Sequence, residues 1–489
     1  VSDEVVIIGA GPAGLTAAHE LSRHGTTSTI VERDPVYVGG LARTVRHNGS
    51  RFDVGGHRFF TRIPEVQALW RELLPDDFLV RPRLSRVHFR GTFFHYPLRA
   101  AEVLAKLELS ESARIIASYV HSRLHPIRPE DNFEQWVTNR FGRHLYEMFF
   151  RTYTEKVWGI PCQEIGSEWA AQRIRDLSVG ALIRNALGLS GSRRVRSLVD
   201  EFEYPRLGPG QMWERCRDVV TGRGHRLAMG TDVTAVHHRD GHVMGVTVRA
   251  EGGRSERLPA RHLLSSMPLQ QLVSRLDPLP PSEVLQAAAA LRYRDFITVN
   301  LVIDRPDLFP DNWIYVHSPE VRVGRIQNFG NWSRAMLADP GQSALGMEYF
   351  VFEGDDLWRQ PDEALLALGM RELEQLELAS ARDVRDGTVV RMRQAYPVYD
   401  RTMLASVATI RRYAESALGG LQQIGRNGQH RYNNQDHSMA TALRAARNVL
   451  GERLDVWDVN EHAEYHETID RAQPRRVTSG KSTVLHDGR

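Results

Sequence analysis

The chain has few cysteines, no long apolar run and almost no net charge. Its two cysteines, Cys162 and Cys216, stand in unrelated contexts among 489 residues. Neither a disulfide framework nor a CxxC site can be drawn from them, so a reducing cytoplasm is the expected location. No stretch of about 18 apolar residues occurs, and no membrane span is expected. The first residues run straight into a strand-like segment, without the basic-then-apolar layout of a secretory leader. Net charge is +3, from 63 basic and 60 acidic residues, which excludes a polybasic nucleic-acid binder on bulk charge. No Ser-His-Asp set, metal-ligand cluster or pair of catalytic acids stands out, and no metal is expected. What remains is an ordinary globular composition, 42% hydrophobic and 25% charged, long enough for more than one domain.

What is present begins at residue 5. Val5 to Ile8 is a β-branched run ending in Gly9-Ala10-Gly11-Pro12-Ala13-Gly14, and Leu15 to Leu21 then has helical spacing. A second strand, Thr29 to Val31, ends on Glu32, 18 residues beyond Gly14. This order (strand, GxGxxG, helix, strand, acid) is the dinucleotide fingerprint. Gly9 permits the tight turn, Gly11 lets a pyrophosphate approach the main chain, and Gly14 lets the helix close on the strand. The exposed N–H groups and dipole of the helix opened by Pro12 and Ala13 face the anion, and Glu32, with Arg33 beside it, faces the adenosine ribose.

A second glycine pair follows in Gly39-Gly40-Leu41-Ala42-Arg43. Glycines and an arginine this soon after the ribose acid do not belong to the basic NAD unit. The segment resembles the flavoprotein group of amine oxidases, protoporphyrinogen oxidase and phytoene desaturases, and the resemblance implies FAD, with Gly40, Leu41, Ala42 and Arg43 along its pyrophosphate and ribityl chain. A third glycine pair lies in Arg51-Phe52-Asp53-Val54-Gly55-Gly56-His57. There a main chain can lie against a flat object such as an isoalloxazine ring. His57 alone would read as a hydrogen-bonded turn histidine. Gly55, Gly56 and His57 together resemble the UDP-galactopyranose mutase family, whose matching loop sits beside flavin N5.

The stretch Tyr153-Thr154-Glu155-Lys156-Val157-Trp158-Gly159 resembles the YTxKxWG signature of that family, with Val157 where glutamine is common. Trp158 reads by default as a core aromatic. The resemblance instead implies a wall for a sugar nucleotide, with Tyr153. Arg325, in Val323 to Phe329, is a solvated strand arginine or, by the resemblance, the residue holding the substrate diphosphate in a bidentate fork. Tyr396 and Tyr399 resemble the tyrosine-bearing segment near the phosphates and sugar, and Val233 the backbone contact to adenine. Arg292 is a weaker candidate.

The polar segment from Gly425 to Met439, GRNGQHRYNNQDHSM, reads as a metal site, a basic patch or half of a pocket. His430, Asp436 and His437 are awkwardly spaced as ligands, and the cations are too few for nucleic acid. The pocket reading fits best. Gly425 and Arg426 follow a strand at Gln423-Ile424, and Asn434, Gln435, Asp436 and Ser438 cap a helix from about Met439 to Leu450, facing the flavin. Tyr432 is expected to face the substrate.

The expected fold is α/β: a Rossmann-type (GR2-like) FAD-binding domain from residues 1–75, 205–275 and 395–455, and a discontinuous mixed α+β substrate domain from 76–204 and 276–394. Residues 75–204 show helical patterns, and the 470–489 tail is expected to be mobile. The resemblance implies an FAD-dependent mutase that interconverts the pyranose and furanose rings of a nucleotide-diphosphate sugar. In that family N5 of the reduced flavin attacks the anomeric carbon, so His57, Arg325, Tyr396 and Tyr399 become the catalytic candidates and Trp158, Tyr153 and Tyr432 join the substrate set. A reductant for the flavin is then required, and the sequence leaves a homodimer open. The alternatives are a FAD-dependent oxidase or desaturase of a sugar, amine or polyene, and a non-catalytic FAD- or nucleotide-binding protein.

Overall fold

The computed structural model describes residues 4–98, 100–167, 169 and 201–459; the 470–489 tail lies outside them. Strand Val5–Ile8 sits at the centre of a wholly parallel sheet in the order Leu421–Gln423, His262–Ser265, Val5–Ile8, Thr29–Val31, Arg226–Ala228. All four of its residues are buried, as a strand covered on both faces requires, which is why it reads as a continuous apolar run and not an alternating one. Helix Pro12–Arg23 starts with proline in its first turn, where the missing N–H costs nothing. Helix Gln435–Val449 packs along it, so the last described helix closes on the first. A four-stranded sheet, Ser255–Pro259, His242–Ala250, Thr231–Arg239 and Leu276–Asp277, lies beside this unit. Its hairpin turns at Asp240 and Gly241, both with positive φ, as a two-residue turn of that hand needs.

The third sheet has seven strands in the order Val384–Pro397, Tyr293–Ile303, Ser343–Val351, Arg325–Asn328, Trp313–Val316, Ser85–Phe89, Thr92–His95. Its strand Tyr293–Ile303, second from one edge, is buried at every position. Trp313 pairs with Gln327, Tyr315 with Arg325, and Arg325 with Glu348. Residues directly opposite share a face, so one surface of this sheet collects tryptophan, tyrosine, arginine and a buried acid. Helices Phe133–Phe141 and Thr152–Trp158 contribute to a separate aromatic cluster around Trp136 and Trp158.

Local expectations change in three places. Helical patterns were expected from residue 75, but strands Phe78–Pro82, Ser85–Phe89 and Thr92–His95 come first; tertiary pairing with Glu201–Pro205 and Trp313–Val316 overrides local propensity. The strand before Gly425 is Leu421–Gln423, with Gly425–Gly428 a single helical turn. The last helix starts at Gln435, not Met439, because Asn434 is its N-cap.

Candidate active site

Gly9 turns the chain with φ +95°, and a Cβ there would run into Ser266 Oγ, which itself donates to the Ile8 carbonyl at 2.7 Å. A methyl group on Gly14 would meet the Gly9 carbonyl oxygen, which is how closely the helix seats on the strand. Glu32 Oε2 accepts from the Ala10 N–H at 2.7 Å and Oε1 from the Asp34 N–H at 2.8 Å. Burial raises its pKa while these two amides oppose the shift. Each oxygen keeps a second acceptor site, so the carboxylate is a fixed double acceptor beside the glycine loop. Next to it Arg275 Nη1 bonds Asp232 Oδ1 at 3.0 Å and the Val233 carbonyl, fixing the strand that carries Val233. Arg275 escaped the sequence reading, which had no signal for an arginine reaching back 43 residues.

From this end a cavity of about 430 Å³ runs past Gly40–Ala42 to Gly55–His57 and on to the seven-stranded sheet. Gly9, Gly11, Pro12 and Ala13 line its start with Glu32, Arg33 and Val233; Gly40, Leu41, Ala42, Gly55, Gly56 and His57 line its middle. Gly14 and Arg43 do not. Gly14 is spent on helix–strand packing, and the Arg43 guanidinium is paired with Asp34 and lies 5.5 Å from the Tyr37 ring, away from the path expected for it. His57 Nε2 bonds the Val54 carbonyl at 3.0 Å; since a carbonyl only accepts, this nitrogen carries the proton. Burial, with Arg426 and Arg325 nearby, pulls the imidazole down to about 4, so it is neutral at physiological pH.

The polar segment forms the opposite wall. Gly425, Arg426, Asn434, Gln435, Asp436 and Ser438 all line the cavity. Arg426 donates to the Asn433 carbonyl at 2.8 Å and the Ala395 carbonyl at 3.1 Å, and its guanidinium lies over Tyr432 and Tyr396 at 4.9 and 5.3 Å. Asp436 accepts from Thr61 Oγ1 at 3.0 Å. The two histidines take structural places: His437 Nδ1 accepts from the Asn434 N–H in a capping box, and fully buried His430 meets Tyr293 edge-on at 4.6 Å. Among the described residues no three His, Cys, Asp or Glu side chains could hold a metal ion, and no helix is long and apolar enough to cross a membrane.

Beyond Gly55–Gly56 the cavity is walled by side chains. Glu348, fully buried, accepts from Arg325 Nε and, at 2.8 Å, from Gln327 Nε2. Burial opposes the Arg325 charge, but Glu348 together with Tyr396, Tyr153 and Tyr432 outweighs it and holds the guanidinium's pKa well above its usual value. Arg325 Nη2 also donates to the Tyr396 hydroxyl at 3.1 Å. Tyr396 stacks on Tyr432 at 5.8 Å, and both line the cavity. Three other candidates do not. Trp158, 4% exposed, packs behind Tyr396 and Tyr432 at 6.5 and 6.2 Å, so its place is the core reading and not a cavity wall. Tyr153 stacks on His317 at 4.4 Å, and the Tyr399 hydroxyl accepts from the Tyr432 N–H at 2.7 Å. Lys156, between Tyr153 and Trp158, donates to the carbonyls of Ser318, Val323 and Val316 at 2.9, 3.1 and 3.3 Å. The signature lysine therefore ties its helix to the sheet strands. Arg58, Arg83, Tyr96 and Tyr315 also line this end and were missed, because each is an isolated residue on its own segment.

A dinucleotide flavin fits this frame. The loop from Gly9 to Gly14 excludes any Cβ where the turn is tightest, the helix N-terminus faces the cavity, and Glu32 is held as an acceptor 22 residues from the Ala10 amide. Comparison with known proteins agrees. The family model of flavin containing amine oxidoreductases matches residues 12–450. A Klebsiella pneumoniae protein described as a probable UDP-galactopyranose mutase is 27% identical over 169 residues, 33% of this chain, and the chain spans 42% of that relative's length. A 15-cis-phytoene desaturase of Synechococcus elongatus is 25% identical over 401 residues, 76% of this chain and 79% of that one. A crystal structure of reduced UDP-galactopyranose mutase superposes with a TM-score of 0.79 at 22% identity, covering 93% of this chain and 97% of the other. The chain belongs to the flavin containing amine oxidoreductase family, and its cofactor is FAD.

Proposed function

We propose that the protein is an FAD-dependent mutase acting on a nucleotide-diphosphate sugar, interconverting its pyranose and furanose rings with the flavin reduced. The observation that carries this reading is the charge and character of the cavity beyond Gly55–Gly56. Arg58, Arg83, Arg325 and Arg426 line it, interleaved with Tyr96, Tyr315, Tyr396 and Tyr432. Guanidiniums and phenols suit a phosphate-bearing, hydroxyl-rich substrate. An amine substrate is itself a cation, and a polyene asks for an apolar tunnel. The superposition on a reduced mutase supports the fold on which this reading rests.

When bound, the reduced isoalloxazine supplies an electron-rich nitrogen suited to chemistry at an anomeric carbon. The chain's own residues bind, orient and shield. Gly55 and Gly56 present bare backbone toward the ring. Neutral His57, held to the Val54 carbonyl, orients without adding charge. Tyr396, fixed by Arg325 and stacked on Tyr432, offers a hydroxyl to the sugar. Trp158 and Tyr399 act from behind by holding those tyrosines in place.

An oxidase or desaturase is the second reading, favoured by the 401-residue match to a phytoene desaturase. Both readings separate in one experiment. Dithionite-reduced holoenzyme is incubated with a panel of nucleotide hexoses, then treated with a borohydride-type trap and analysed by mass. A flavin–sugar adduct and a ring isomer of the substrate are expected with at least one nucleotide sugar. Absence of both across the panel, together with oxygen consumption on a reductant substrate, sinks the mutase.

A further inference from the structure

We propose that Gln327 is a positioning residue of the flavin site: its buried carboxamide, fixed by Glu348, is the floor that holds Gly56 at one height against the isoalloxazine. This rests on FAD lying with its ring at the Gly55–Gly56 turn, and it is independent of the substrate.

The cavity wall is one residue thick at this turn. Gly56 is exposed and lines the cavity, whereas Gln327, 2% exposed, stands behind it. A Cβ on Gly56 would lie 2.9 Å from Gln327 Nε2, 3.1 Å from Oε1 and 3.2 Å from Cδ. The carboxamide therefore fills the place that a side chain at residue 56 would take, and the bare Cα rests on it. Gly55, with φ +89°, makes the preceding bend, and a Cβ there would come within 3.8 Å of Glu348 Oε1. Turn and floor meet with no side chain of the turn between them.

The amide is oriented and not merely packed. Arg325 and Gln327 stand two apart on strand Arg325–Asn328 and so share a face. They divide the Glu348 carboxylate between them, Arg325 Nε taking one oxygen and Gln327 Nε2 the other at 2.8 Å. A carboxylate paired with a guanidinium only accepts, so the end of Gln327 that faces it is the NH2 group. Its Oε1 is thereby left beside Gly56, and among the described residues no donor reaches that oxygen. A buried carbonyl without a donor destabilises a fold, and a methionine of similar length would fill the space without one. An orphaned acceptor kept under the one exposed glycine of the turn points to a task at the turn, not in the core.

Sulfite tests this without any sugar. Its sulfur lone pair forms a bond to N5 of oxidised flavin, the two electrons pass into the ring system, and the visible absorbance bleaches. Holoenzyme is titrated with sulfite, and the flavin midpoint potential is measured in parallel against a redox dye. A turn held at one height is pre-organised for a substituent on N5, so loosening it costs affinity for the adduct and for the reduced ring alike. Q327A and Q327M are each expected to weaken sulfite about ten-fold. They are also expected to shift the flavin equilibrium about ten-fold toward the oxidised form, a fall of ~30 mV. G56A, whose methyl displaces the amide, is expected to weaken sulfite by about the same factor. Both substitutions remove one contact, so G56A/Q327A should lose about ten-fold and not the roughly hundred-fold of independent sites. Flavin content and thermal midpoint report folding, and Q327M keeps the bulk should Q327A lose its flavin. Wild-type sulfite affinity and potential in the Gln327 variants, with G56A weakened, overturn the role of Gln327. A multiplicative loss in the double variant overturns it too. Wild-type behaviour in G56A and the Gln327 variants together overturns the placement of the ring at this turn. If the wild-type flavin takes up no sulfite, the midpoint potentials decide by the same criteria.

Discussion

The two ends of the cavity are built by different means. At the dinucleotide end the cavity is shaped by backbone: Gly9 and Gly14 exclude side chains, a helix N-terminus faces the cavity, and one carboxylate is clamped between two amides. The loop, the helix N-terminus and the clamped acid all lie between Gly9 and Asp34, with Val233 joining them from the four-stranded sheet. At the sheet end the same cavity is walled by long side chains from Arg58, Arg83, Tyr315, Arg325 and Tyr396, none adjacent in sequence. A backbone site cannot move without moving the fold, whereas a side-chain wall can change one residue at a time. Within a family sharing one fold, the cofactor end is thus the constrained part and the sheet end the part free to specify a substrate.

Paired glycine substitutions are the strongest way to break this contrast. In Gly14→Ala the new methyl meets the Gly9 carbonyl, a backbone atom, inside the tightest turn. A loss of about 3 kcal/mol or more is expected, with protein that accumulates poorly or purifies without flavin. In Gly56→Ala the methyl meets the Gln327 side-chain amide at 2.9 Å, the far end of a side chain that can shift. That variant should keep its flavin spectrum and lose mainly substrate turnover. Equal flavin loss in the two would show that the ends are not separately constrained.

Lys156 offers a smaller effect with a sharper reading. Burial lowers its ammonium to about 8, yet three carbonyls from Val316, Ser318 and Val323 receive it. Lys156→Met keeps the stem and leaves those acceptors short of a donor, so stability should fall by about 2–3 kcal/mol. If the lysine only ties helix to sheet, denaturant midpoints drop while the affinity of the folded fraction for UDP is unchanged. Loss of UDP affinity with unchanged stability would move Lys156 into the site.

How much could be read beforehand follows the same division. The Gly9–Gly14 loop, Glu32 and the Gly55–Gly56 turn were legible because backbone geometry demands particular residues at short, fixed spacings. The segment after Gly425 was legible as a cavity wall for a related reason, since a cap must precede its helix, although the helix begins at Gln435, four residues before Met439. Trp158 and Tyr399 were assigned to the substrate when they stand behind Tyr432 and Tyr396, because a motif gives a residue's neighbourhood and not the direction of its side chain. Arg58 and Arg83 left no signal. An arginine acquires meaning here only when Trp313, more than two hundred residues later, is brought beneath it.

Asp53 joins the two ends and carries the mildest prediction. It closes strand Ser50–Asp53 just before Gly55–Gly56 and is 1% exposed. Thr44 Oγ1 donates to it at 2.8 Å and the Tyr204 hydroxyl donates to its other oxygen. Burial nonetheless raises the carboxyl to about 7, because those two donors only partly offset desolvation. Its folded pKa is therefore above its unfolded value near 3.8. The native state holds a proton that the unfolded chain has released, so this contribution to stability is complete below pH 3.8 and is lost as pH rises through about 7. Between pH 6 and 8 the wild type should lose about 1 kcal/mol through this group. Asp53→Asn keeps an acceptor for one donor and cannot ionise, so the stability difference between variant and wild type should shift in favour of the variant by that amount over the same interval. Chemical denaturation at both pH values measures it. A pH-independent difference would mean that the carboxylate is already charged when folded, and that Tyr204 and Thr44 outweigh its burial.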